Sequence, residues 1–321
     1  MLFRSKSSDS TLYFFPIGAA DHGVSGPGLF VTNDLKALTI TDARMTGNIP
    51  SVVIHLLGPF RSIETVSLHQ RVFTYLTPSD KDLASRVPLC IKSLAITDTA
   101  LLSILMLSPS LRSQLCSFDL RASLPSLSEV RLLMDFIQPM SADLEHLSFY
   151  VHHMREAIMG VGGNLSYMHQ LDLSTLSSLV SLQLGIPVYG SANAFIGTRS
   201  RFSYPVICSS GYSILVNLTR AMSQSLRKLS YQFQFNPFET DDTALLQVFW
   251  SSFPINEPDY DWKDLEDALL DRIETGLQCI EFRSAICSVK VEPCHFPSED
   301  RMYMIENMPR VCARSDVVRF V

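Results

Sequence analysis

Leu35-Lys36-Ala37-Leu38-Thr39-Ile40, Ile63-Glu64-Thr65-Val66-Ser67-Leu68 and Ile91-Lys92-Ser93-Leu94-Ala95-Ile96 share one signature: apolar, two residues, apolar, one residue, apolar. Two more copies follow, Leu115-Cys116-Ser117-Phe118-Asp119-Leu120 and Leu144-Glu145-His146-Leu147-Ser148-Phe149. The five starts are 28, 28, 24 and 29 residues apart. Side chains alternate along a strand, so the fourth and sixth positions face inward while the third, fifth and seventh face out. The first position packs inward where the chain turns into the strand. One such unit cannot bury its apolar side alone, so copies must stack. The spacing falls within the period of about 20–29 residues that marks leucine-rich repeats.

Later copies begin at Leu179, Leu226 and Leu277, with long steps of 47 and 51 residues between them. Met168-His169-Gln170-Leu171-Asp172-Leu173 also fits the signature, but it starts 11 residues before Leu179, too close for both to be repeat strands. Residues 165–176 are therefore read as a connecting helix or turn. Between the strands, residues 51–57, 98–107, 126–136 and 212–223 read as amphipathic helices, several opened by a Ser or Asp cap. Ser126 and Glu129 have capping-box spacing. Another helix is expected at 242–250. A further one starts at Asp261, with Trp262, Leu265, Leu269 and Ile273 on one face. The Ser-, Gly- and Pro-rich stretch 190–211 reads as an inserted loop. The expected fold is thus α/β: a curved leucine-rich-repeat solenoid, parallel sheet on the concave side and helices on the convex side, irregular in its C-terminal half. Residues 1–34 form a lead or cap, 35–285 the solenoid, and 286–321 a C-terminal cap or tail.

Composition narrows the function. With 321 residues, 46% of them hydrophobic, the chain can bury roughly three-quarters of its unfolded surface. Twenty-six Lys+Arg against 32 Asp+Glu give a net charge of −6 without a dense basic run, which argues against a nucleic-acid partner. Seven cysteines form no CxxC pair and read as reduced thiols of a cytoplasmic or nuclear protein. Leu12 to Ala20, preceded by Arg4 and Lys6, has a weak signal-peptide character, and Asn164 and Asn217 sit in glycosylation sequons. Those features define the alternative, a secreted or surface leucine-rich-repeat recognition protein. No apolar stretch approaches the ~18 residues of a membrane span, so a membrane role is not expected.

The near-matches to catalytic patterns in the sequence fail. His152-His153-Met154-Arg155-Glu156 lacks the second histidine of a zincin, and Gly160-Val161-Gly162-Gly163 fits no phosphate loop. Gly23-Val24-Ser25 lies in a Gly-Pro loop rather than a nucleophile elbow. The acidic run Glu257, Asp259, Asp261, Asp264, Glu266 and Asp267 lacks calcium-loop spacing and reads as a solvated helix face. The expectation is a protein that is not an enzyme, with no catalytic, cofactor-binding or metal residues.

The chain resembles the leucine-rich-repeat region of the expanded F-box-like protein family of mushroom-forming (basidiomycete) fungi. The degenerate strand units carry the likeness, together with Asp261-Trp262-Lys263-Asp264-Leu265-Glu266-Asp267-Ala268-Leu269 and the ending Met308-Pro309-Arg310-Val311-Cys312-Ala313-Arg314. The resemblance implies a substrate receptor of a cullin-type ubiquitin ligase. Residues 1–33 do not match the F-box that docks on the ligase adaptor. The adaptor is therefore a partner only if an F-box lies upstream, and otherwise the chain is a derivative that lost the module. The Asn ladder of regular repeats is replaced by Ala43, Arg71, Thr99 and Ser123.

An unidentified protein ligand is expected on the concave face. The first three units present mostly small, uncharged residues there, with His69 the exception. Asp119 and Arg121, then His146 and Tyr150, bring charge and ring surface. Gln183, Lys228, Gln232, Glu281 and Arg283 continue the strip. Arg and Tyr are enriched at interface hot spots, which singles out Arg121 and Tyr150.

Overall fold

A computed structural model describes residues 11–14, 34–41, 57, 60, 62–69, 90–106, 114–124, 126–150, 170–188, 215–235, 262–287 and 291–321. The chain divides into two compact units, one of residues 1–122 with 135–147 and the other of 123–134 with 148–321. Both are α/β with parallel strands.

In the first unit β1 (Thr11–Phe14), β2 (Asp34–Thr41), β3 (Ser62–His69), β4 (Cys90–Ile96) and β5 (Ser117–Ser123) pair in chain order, every neighbour parallel. The register superposes the signature. Leu38, Val66, Leu94 and Phe118 are successive Cα partners, and all four are buried. Equal positions must stack this way, because a slip of one residue would turn every apolar side chain to the other face. Helix α1 (Ala100–Leu105) follows β4 with Leu101, Leu102 and Leu105 buried. The Phe118 ring meets Phe136 at 5.0 Å between centroids.

One strand escaped the signature. β1 places Leu12 beside Leu38 and Phe14 beside Ile40, so part of the signal-like run is a sheet strand. In sequence terms this copy begins at Asp9, where the others carry Leu or Ile.

Helix α2 (Leu127–Ile137) and strand β6 (His146–Tyr150) each contribute residues to both units. At the start of α2 the Ser126 hydroxyl meets the Glu129 carboxylate directly, and Val130 N–H donates to the Ser126 carbonyl at 3.2 Å. Residues 173–175 form a single 3-10 turn ahead of the next strand, within the stretch 165–176 read as a connecting helix or turn.

The second unit is built on β7 (Ser181–Val188), β8 (Lys228–Phe235) and β9 (Cys279–Cys287), parallel and in register. Residues 215–220 are helical and precede β8. Inward positions are aromatic. Tyr231 stacks on Phe282 at 5.8 Å and Phe282 on Phe320 at 5.5 Å. The Tyr231 hydroxyl lies 2.7 Å from Thr219 Oγ1, itself a donor to the Leu215 carbonyl, and burial pushes the phenol pKa well above its ordinary value. Helix α3 (Trp262–Glu274) ends at Gly276, whose φ of 118° is left-handed. Gly276 N–H bonds to Ile273 O and Leu277 N–H to Arg272 O, the paired bonds of a Schellman stop that favours glycine.

The last 36 residues of the chain do more than trail the sheet. β10 (Val291–Cys294) runs antiparallel to the C-terminal half of β9, and β11 (Val318–Phe320) runs parallel to its N-terminal half. β8 holds the other edge of β9, so β9 is paired along both sides and presents no open template for another chain. β9 itself runs to Cys287, past the expected solenoid end at 285.

Between β10 and β11, α4 (Ser298–Asn307) and the short α5 (Pro309–Cys312) pack on α3. Here the acidic run departs from expectation. Glu266 is not on a solvated face; it is 4% exposed and accepts from Arg310 N–H at 2.6 Å, Val311 N–H at 3.1 Å and Arg310 Nε at 2.8 Å. A carboxylate at the first turn of α5 satisfies amides that have no helical partner. Asp267 Oδ1 takes Arg310 Nη2 at 2.5 Å, and the Trp262 ring meets Tyr303 edge-on at 5.9 Å. Burial, then the nearby Glu266 charge, pushes the Cys312 thiol up to about 11. The expected helix at 242–250, the Asp261 cap, His152, His153 and Gly160 to Gly163 lie outside the described residues.

Candidate functional site

The face opposite the core is set by the same alternation that buries the signature residues. In the first unit it is shallow: Ala37, Thr39, Thr65, Ser67 and Ser93 are partly exposed, and Ala95 is buried. Such short side chains carry little binding energy themselves. β5 adds Asp119 and Arg121, two residues apart on one face, with Arg121 Nε donating to Asp119 Oδ2 at 2.6 Å. The Arg121 side chain keeps 45% of its surface exposed. His146 is also exposed, its Nε2 3.9 Å from Glu145 Oε2. β3 includes His69, whose side chain lies outside the described residues.

The second unit assembles a denser arrangement. Its register sets Lys228 beside Ser181 and Cys279, Gln183 beside Ser230 and then Glu281, and Gly185 beside Gln232 and then Arg283. Gln183 Nε2 donates to Gln232 Oε1 at 2.8 Å, joining β7 to β8. Lys228 Nζ lies 2.7 Å from Glu281 Oε1, joining β8 to β9. Arg283 closes the group, with Nε at 2.8 Å and Nη2 at 2.7 Å from Glu281 Oε2. Burial alone would raise the Glu281 pKa. The hydrogen bond from Lys228 and the Arg283 charge outweigh it and hold the carboxyl below the usual range. Burial and the Glu281 charge raise the neighbouring Cys279 thiol, against the lowering effect of Arg319 and Lys228.

Three candidates do not sit as the sequence expectation placed them. Tyr150, expected to offer its ring to a partner, is 6% exposed. Its ring occupies the space over Gly185, where an added Cβ would come 1.7 Å from Tyr150 Cδ1. The missing side chain at 185 is what lets the ring lie down. Gln232 and Glu281 are also buried, at 9% and 5% exposure, because each is consumed by cross-strand bonds. Arg121, His146, Lys228 and Arg283 retain reach.

Sequence reasoning passed over Arg319. It lies in β11 as the Cα partner of Glu281, between inward Val318 and Phe320, and it is exposed. The apolar-polar-apolar triplet Val318-Arg319-Phe320 was the available signal. Ser230 was also missed; its buried Oγ has no hydrogen-bond partner among the described residues and lies directly between Gln183 and Glu281 in the register.

Among the described residues no three His, Cys, Asp or Glu side chains group to hold a metal ion, and no helix is long and apolar enough to cross a membrane. No family model, curated protein or solved structure matches the chain.

Proposed function

We propose that the protein is a non-enzymatic protein–protein interaction module, a leucine-rich-repeat solenoid of the F-box-like type that presents its sheet face to a protein ligand. In this reading it serves as substrate receptor of a cullin-type ubiquitin ligase, or as a derivative that no longer couples to one. The observation that carries the reading is the register: equal signature positions of successive strands are Cα partners. Neighbouring strands lie about 4.8 Å apart, so outward side chains of adjacent units form one strip that a partner can span. The two late motifs that carry the resemblance meet in the fold, where Glu266 and Asp267 of one bind Arg310 of the other.

Affinity purification of the tagged chain, followed by immunoblotting for the cullin and its adaptor, tests the ligase role. Recovery of both supports it; their absence from a preparation that retains other stoichiometric partners removes that role and leaves the interaction module. The secreted alternative makes an opposite demand. Cleavage near Ala20 would remove β1, so N-terminal sequencing of the protein isolated from cells separates the two.

A further inference from the structure

We infer that the sheet face of the second unit docks an acidic, carboxylate-rich segment of a partner protein, engaged by Lys228, Arg283 and Arg319. The inference rests on the interaction-module reading and names the chemistry of its partner. Two cations, Lys228 and Arg283, hold the single carboxylate Glu281, and a third, Arg319, is its Cα partner on the neighbouring strand, on a chain whose overall charge is −6. The carboxylate does not cancel the patch at the surface. Its side chain is 6% exposed, whereas those of Lys228 and Arg283 are 39% and 36% exposed. Glu281 therefore acts as an anchor beneath the cations and fixes their positions before any ligand arrives.

Donor capacity remains above it. A lysine ammonium carries three N–H donors and a guanidinium five. Lys228 spends one on Glu281 and Arg283 two, and Arg319 makes no hydrogen bond or ion pair among the described residues. Glu281 draws the Lys228 and Arg283 charges together from positions on either side of it, and β11 sets Arg319 one strand spacing away, about 4.8 Å at the backbone. Alternate residues of an extended peptide lie about 6.8 Å apart on one side, so two or three carboxylates within a short run can meet them together. Isolated carboxylates would gain little at an exposed site. Selection is for a cluster.

Arg319 gives the clean test, because changing Lys228 or Arg283 would strip a partner from buried Glu281. The probe is a fluorescein-labelled peptide of about twelve residues rich in Glu and Asp, beside its Gln/Asn counterpart, read by fluorescence anisotropy. The full chain should bind the acidic peptide and not the amide counterpart. Affinity should fall as salt rises from about 50 to about 300 mM, where screening shortens to a few ångströms. Arg319→Glu should weaken binding about tenfold while Arg319→Lys retains most of it, both with unchanged thermal unfolding. Equal binding of the two peptides, or indifference to Arg319→Glu, would overturn the acidic-ligand inference and leave the interaction-module reading standing. So would failure of the acidic peptide to bind while a partner copurified with the chain is still lost on Arg121→Ala. Loss of every peptide and every copurified partner would remove both.

Discussion

The two units use the same strand signature and the same parallel register, yet they treat the outward face differently. In the first, β2, β3 and β4 floor that face with Thr, Ser and Ala, most of them partly exposed, and only β5 and His146 add charge or a ring. In the second it carries Gln, Lys, Glu and Arg, and much of it is withdrawn from solvent by cross-strand bonding. The cores differ in parallel. The first is mainly aliphatic, whereas the second stacks Tyr231, Phe282 and Phe320. Identical backbone pairing thus supports one face that is smooth and weakly committed and another that is polar and preorganised. Short side chains on a sheet leave nothing to organise, while long ones either pair with one another or lose conformational entropy without return.

Phe282→Ala should widen this contrast most. Removing a ring 1% exposed, with Tyr231, Phe233 and Phe320 around it, is expected to cost about 4 kcal/mol. Trp262 of α3 is buried in the second unit, so urea unfolding followed by tryptophan fluorescence reports on that unit. Amide exchange of β3 and β4 peptides should stay close to wild type. Equal loss of protection in both units would break the comparison.

Glu266→Ala comes next, at about 3 kcal/mol, because it leaves two amides and a guanidinium without their shared carboxylate. Exchange should accelerate in residues 298–312 before it does so in β8. Gly185→Ala is expected to cost about 2 kcal/mol by driving a methyl group into the Tyr150 ring. In a Tyr150→Ala background the same change should be nearly neutral. A double-mutant cycle measures the difference, and additivity of the two changes would show that the ring does not rest on residue 185.

Acid sharpens the contrast through Glu281. Its folded pKa is depressed, so the stabilisation it supplies is complete above the unfolded value of about 4.3 and is lost as pH falls through the lower folded pKa. Urea midpoints of the second unit should drop between pH 5 and pH 2. Glu281→Gln should lower stability at pH 7 by about 1 kcal/mol and flatten that dependence. The smallest effect belongs to Asp119→Ala, which breaks only an exposed pair with Arg121 and should change stability by less than about 0.5 kcal/mol. A larger shift would mean that the face of the first unit is more organised than its geometry indicates.

Eight strands were legible because each needs only local alternation and an apolar first position. β1 was hidden by Asp9 at that position, although Leu12 and Phe14 are the register partners of Leu38 and Ile40. Glu266 read as one acid among six because a helix wheel cannot reveal that Arg310 and Val311 come to meet it from 44 and 45 residues away. Tyr150, expected on the outward side and open to a partner, is buried with its ring against Gly185. Its cover depends on a glycine 35 residues further along the chain, and nothing in the strand signature reports on that.

Local sequence therefore determined which residues face the core and which face away, since side-chain period is a property of the strand itself. It also determined the register, because only one alignment buries every signature position. The tertiary structure decided which outward residues remain accessible, by setting Gly185 beneath Tyr150, Glu281 between Lys228 and Arg283, and Arg319 beside Glu281. Accessibility and charge pairing are sums over neighbours from distant segments, and those neighbours exist only once the strands have been laid side by side.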